Sequence, residues 1–238
     1  MFLRILLTAL IAGLIGGVAV SGLQALGTTP LILKAETYET GGKGAEATVQ
    51  PDHGEEWAPH DGWERVSFTL LANVLMAVGF AALLASAFTV LETQVSLARS
   101  VGWGLAGFAA FGFIPSIGLP PELPGMVAAD VAPRQLWWWS SAIASCIGLG
   151  LLAFAPRAAV KALGAVAIAL PFVVGAPHPA TGVGSVPPEL AAHFVTVSLG
   201  TGLVFWLILA ASAAWSFRRL EAFCLAAGHQ PEREEASR

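Results

Sequence analysis

What this sequence has least of is charge. Asp, Glu, Lys and Arg make up 12% of its 238 residues, about half the share of a soluble domain. Tyrosine occurs once, and there are two cysteines, Cys146 and Cys224. They make no CxxC pair and no disulfide framework, so both read as free thiols without a role. Enzyme signatures are missing as well. There is no HExxH, no GxSxG and no GxxxxGK[ST], which removes zincin, serine-hydrolase and P-loop chemistry. The net charge is −4, and nothing in the chain points to nucleic acid. Ten-residue segments of alternating polarity are also missing, which argues against a transmembrane β-barrel.

What remains is apolar. Hydrophobic residues make up 55% of the chain, and the mean hydropathy is +0.70. Several uncharged runs reach the roughly 18 residues that mark a transmembrane helix. The expected fold is an all-α polytopic membrane protein set in the lipid bilayer. About six spans are expected, at Ile5–Leu33, Val66–Leu91, Val101–Ile117, Leu136–Ala155, Ala162–Gly175 and Leu190–Phe217. Residues 1–220 form the helical domain, with a loop at 34–65, and residues 221–238 form a charged tail. The first run resembles a signal peptide at its start but continues too far for one, so it is expected to stay as the first helix.

Charge orients these spans. With both termini in the cytoplasm, the inner segments hold Arg4, Arg99, Arg157, Lys161, Arg218, Arg219, Arg233 and Arg238. The outer ones hold Lys34, Lys43, Arg65 and Arg134. Eight basic residues against four follows the positive-inside rule. The acids run the other way, leaving the outer face near −7 and the inner face near +3.

Three outer corners share a pattern of Pro, then charge, then an aromatic side chain entering the membrane. They are "EEWAPHDGWER" (Glu55–Arg65), "VAPRQLWWWSS" (Val131–Ser141) and "VPPELAAHFVT" (Val186–Thr196). Indoles such as Trp57 and Trp63 suit the membrane interface. The repetition suggests three related helical hairpins.

These corners carry a family resemblance. The stretches are "LKAETYE" (Leu33–Glu39), "EEWAPHDGWER", "WGLAGFAAFGFIPSIGLPPELPGM" (Trp103–Met126), "RQLWW" (Arg134–Trp138), "GAPHP" (Gly175–Pro179) and "PPELAAHFV" (Pro187–Val195). In them the chain resembles the CbtA family of predicted cobalt transporter subunits. The resemblance implies a multi-pass protein of the bacterial inner membrane that takes up cobalt for vitamin B12 synthesis. It also implies a small single-span partner, CbtB. Members often carry a histidine-rich first outer loop. Here Thr40–Glu56 holds only His53, a departure that weakens metal collection by that loop.

First-row divalent ions accept imidazole and carboxylate ligands, with water completing the shell. Glu122 in "PPELPG" and His178 in "APHP" sit among prolines just past short spans, where an interrupted helix points to a transporter site. His193 lies one turn into the sixth span. Glu36 and Glu39, three apart, share a helix face if the first helix continues outward. These five are the candidate metal ligands. Asp61, Trp63, Arg65 and Arg134 are expected to hold the corners. The two arginines would pair with Asp61, Glu64 or Glu122, since a guanidinium stays charged and has no acceptor for a metal.

No acidic or basic residue lies in the middle of any span, so no proton relay is visible. Gln24 and Asn73 are expected to make interhelical hydrogen bonds. A divalent cation moving inward gains about 4.6 kcal/mol per 100 mV, enough for about a thousandfold accumulation. No resident cofactor is therefore expected, only the transported cation. The leading reading is a permease subunit for divalent metal uptake, not an enzyme. The alternatives are an accessory or assembly subunit and, further off, an intramembrane enzyme. The ion, the need for a partner and a homo-oligomeric state stay open.

Overall fold

The computed structural model describes residues 1–42, 59–60, 62–91, 95–179 and 184–228, and the described residues contain helices and connections but no strand. The helices are α1 (Phe2–Leu26), α2 (Thr28–Gly42), α3 (Trp63–Leu91), α4 (Leu97–Phe108), a π turn (Ala109–Phe113), α5 (Ile114–Gly118), α6 (Val131–Phe154), α7 (Ala158–Val174) and α8 (Pro188–Gly228). Among the described residues, five stretches are long and apolar enough to cross a membrane: α1, α3, residues 98–118, α6 and Pro188–Ala222 of α8. The shorter α7 has 17 residues, about 25 Å of helix and at the lower limit for a span.

Several boundaries differ from the sequence reading. The first apolar run breaks at Gly27, whose N–H closes α1 on the carbonyl of Leu23. A new helix starts at Thr28 with Pro30 in its first turn, where no amide donor is needed. The charged stretch after Leu33 is therefore helical as far as Gly42. At the other end α8 runs past Phe217 to Gly228, because "RRLEAFCLAA" is made of good helix formers.

The chain divides into two compact units. The first holds Met1–Gly22, Pro59–Leu105 and the chain from Val204 onward. Its close packing rests on missing side chains. A Cβ at Gly17 would come within 2.5 Å of Val74 Cα, and one at Gly104 would come within 2.9 Å of the Trp206 carbonyl. Small residues let backbones approach where lipid gives no hydrophobic drive between helices. Asn73 on α3 donates to Ser21 Oγ on α1 at 3.0 Å, an interhelical bond at depth. Phe88 meets Trp103 and Phe217 edge-on, at 5.9 and 5.8 Å. Arg4 lies 3.5 Å over the Phe217 ring and 3.4 Å from Glu221.

The second unit holds Leu23–Ala58 and Ala106–Leu203. Here α6 and α7 cross where Gly148 and Gly164 face each other. A Cβ on Gly148 would sit 2.5 Å from the Gly164 carbonyl, and one on Gly164 would sit 2.8 Å from the Gly148 carbonyl. Buried Trp137 donates its indole N–H to the Pro171 carbonyl. Proline explains part of this. Pro171 lies inside α7 and cannot donate to the preceding turn, so the helix is locally loosened.

Candidate functional site

Three sequence-distant segments meet in the second unit. Buried Ala35 of α2 packs with Leu123 of the α5–α6 connection and with Leu190 and Phe194 of α8. Leu31, Ile32, Met126 and Val186 flank this cluster. The connections that lead into α6 and α8 are also tied through backbone. Ser185 donates from its amide to the Gly125 carbonyl at 3.2 Å, and its hydroxyl lies 3.3 Å from the same oxygen. Gly125 has φ +81°, a conformation glycine adopts without strain.

Beside this cluster is a cavity of about 700 Å³. One wall is the π turn, with Phe111 and Gly112. Others come from the proline corner, from the start of α6 with Trp138 and Trp139, and from α8 with Ser198 and Gly202. The π turn follows from Pro115. Lacking an amide hydrogen, Pro115 cannot close an α turn on Phe111, and the Ile114 amide bonds to Ala109 five residues back. Such bulges are frequent at functional sites. Phe111 and Trp138 face each other with ring centroids 6.4 Å apart.

Glu122 is the single acid and Arg134 the single base among the described residues that line the cavity. They form an ion pair, Arg134 Nη2 to Glu122 Oε2, at 2.5 Å, with both side chains partly buried. Of the three partners weighed for Arg134, the structure supplies Glu122. Arg134 is held by the first turn of α6, its amide bonding to the Asp130 carbonyl. Glu122 is held by the stiff Pro120–Pro121 backbone. The buried Nε of Arg134 takes no part in the pair and has no hydrogen-bond partner. Ser198 Oγ is likewise buried and unpartnered.

The other candidates lie elsewhere. His178 and His193 are exposed and Glu36 is half-buried, and none of them lines the cavity. Glu39 belongs to α2, but its side chain lies outside the described residues, as do Asp61 and His53. Among the described residues no three His, Cys, Asp or Glu side chains come together as a metal cage. At the first corner, Trp63 is 86% exposed, and Arg65 begins α3 with its amide on the His60 carbonyl. Glu64 accepts the His60 amide at 3.2 Å, which ties the chain ahead of α3 to the helix's first turn. Sequence reading missed the cavity walls on α8 and the π turn. Only "FGFIP" carried a signal, a proline placed to orphan the Phe111 carbonyl.

This arrangement defines a multi-pass helical membrane protein with a cavity beside its Pro120–Pro121 turn. A family model described as "Probable cobalt transporter subunit (CbtA)" matches residues 2–218, and the chain belongs to the CbtA family. No curated protein and no solved structure matches it.

Proposed function

We propose that the chain is the membrane permease subunit of a divalent-cation uptake system, with cobalt as the ion, and that the cavity beside Glu122 is a station on the ion's path. The observation that carries this reading is the position of Glu122. Among the described residues it is the one carboxylate in a cavity walled by helices, on a proline corner that interrupts the run between two spans. A carboxylate and waters suit a first-row divalent ion, and the family description supports cobalt.

Around this core we place the rest of the pathway. The corners face outward from the inner membrane, and both termini lie in the cytoplasm, as the charge bias favours. The acidic outer face concentrates cations. His178, His193, Glu36 and Glu39 serve as the outer collecting ligands. Entry runs down the membrane potential and supplies vitamin B12 synthesis. The word "subunit" in the family description supports a partner, and we assign that place to a single-span CbtB-like protein.

Radiolabelled cobalt uptake tests the reading, in cells stripped of other cobalt and nickel importers. The chain is expressed with and without the single-span protein, at matched membrane abundance. Uptake that depends on the chain and falls at least tenfold in Glu122→Ala is the expected result. His178→Ala and His193→Ala are expected to raise the half-saturating concentration a few-fold and leave the maximal rate unchanged. No uptake in any pairing, with the protein folded in the membrane, would sink the permease reading in favour of an accessory subunit.

A further inference from the structure

We infer that Arg134 is a built-in competitor for the cation at Glu122, and that exchange of the guanidinium for a divalent ion gives the cavity its selectivity. The inference rests on the permease reading and concerns the regulation of that same site.

A cavity that admits cations gains from uncompensated negative charge, because a carboxylate in low-dielectric surroundings attracts more strongly than in water. This cavity has none to spare. Among the described residues that line it, the single acid is neutralised by the single base at 2.5 Å. A cation arriving there finds net zero charge and must displace Arg134 before it gains contact with Glu122. For a monovalent ion the exchange trades one unit charge for another and gives up a charge-assisted hydrogen bond, so it is unfavourable. A divalent ion brings twice the charge to the same carboxylate and can add water ligands.

The geometry suits a pair that yields. Arginine holds a carboxylate most firmly through two parallel N–H bonds; here Nη2 meets Oε2 and Nε takes no part. The Nε–H is buried without a partner, a cost that release of the side chain would relieve. Both backbones are anchored, Glu122 beside prolines and Arg134 on α6, so the exchange needs only side-chain rotation. Arg134 stands a few residues before Trp138 and Trp139 in the same cavity.

The opposite role, a brace that only holds the corner, predicts the opposite sign on mutation. The test uses right-side-out vesicles from the cells of the uptake assay, with an inside-negative potential and the same partner pairing. Influx of Co²⁺ and of Na⁺ is measured separately. Arg134→Gln is expected to raise Co²⁺ influx about threefold to tenfold and to admit Na⁺, which the unmodified protein excludes. Arg134→Lys, a point charge with a weaker hold, is expected to fall between. Glu122→Gln and the double variant Glu122→Gln/Arg134→Gln are both expected to lose Co²⁺ influx, because the carboxylate is gone whether or not the arginine remains.

Loss of Co²⁺ influx in Arg134→Gln at normal membrane abundance, with Arg134→Lys unchanged, overturns the competitor and leaves a brace. Unchanged Co²⁺ and Na⁺ influx in Arg134→Gln overturns it as well. If Arg134→Gln fails to reach the membrane, Arg134→Lys decides: raised influx supports competition, and influx at or below normal refutes it. Absence of Co²⁺ influx in the unmodified protein is a different failure, because it removes the permease reading and the inference falls with it.

Discussion

Trp137 of α6 gives its indole N–H to the carbonyl oxygen of Pro171 in α7 across 3.1 Å. The same oxygen accepts the Gly175 amide that closes α7, at 3.0 Å. The Trp137 ring also meets Phe172 edge-on at 5.6 Å and fills the space that a side chain at Gly118 would need. One side chain thus joins α5, α6 and the loosened end of α7.

Replacing that side chain separates its polar and apolar parts. Trp137→Phe removes the hydrogen bond but leaves the Pro171 carbonyl its second donor, so the expected loss is about 1 kcal/mol. Trp137→Ala opens a cavity and is expected to cost about 3–5 kcal/mol. Reversible unfolding in mixed detergent measures both. Equal losses would show that the indole N–H, not ring packing, dominates.

The glycine crossing of α6 and α7 predicts a contrast between two positions on one helix. Gly148→Ala places a Cβ 2.5 Å from the Gly164 carbonyl, where backbone must shift, and is expected to cost about 1–3 kcal/mol. Gly150→Ala meets nothing within 4 Å and is expected to be neutral or slightly stabilising, since alanine favours helix. The midpoints of thermal unfolding in detergent give the order. A neutral Gly148→Ala would mean that the crossing is looser than described.

Asn73 and Ser21 predict a coupled loss in the other unit. Asn73→Ala and Ser21→Ala each remove the 3.0 Å bond between α3 and α1. Such bonds in membrane proteins average about 0.6 kcal/mol and reach about 1.7. The double variant is expected to cost less than the two singles added together, because one bond cannot be lost twice. Strict additivity in a double-mutant cycle would contradict the shared bond.

Much of this fold was legible because hydropathy acts locally. The runs around Val66–Leu91 and Leu136–Ala155 had to be helices of about the observed length, since backbone groups in lipid must be paired within the segment. The importance of the corners was legible too, because proline, charge and tryptophan together mark a helix end at an interface. The partner of Arg134 was one of three candidates and needed the tertiary structure to decide. The meeting of Ala35 with Leu123 and Leu190 was not legible at all. It joins residues far apart in the chain, and nothing in "LKAETYE" shows which neighbour its helix will find. The break at Gly27 is hidden for a related reason: apolar residues continue on both sides of it, so composition does not change where the helix is interrupted.

The π turn before Pro115 is, in the frame of the chain, a helix with one residue too many. The wider turn, with each amide bonding five residues back, takes up that residue so that the helix keeps its face on the way to Pro120, Pro121 and Glu122. The segment Ala109–Phe113 is therefore a spacer in phase as well as in length. Its side chains can be exchanged with modest effect, but its residue count cannot. Removing one of the five residues would leave Pro115 still without an amide to donate, so the wide turn would persist on a shorter chain and the segment beyond it, with Glu122, would be turned about the helix axis by about 100°, away from the arginine that waits for it.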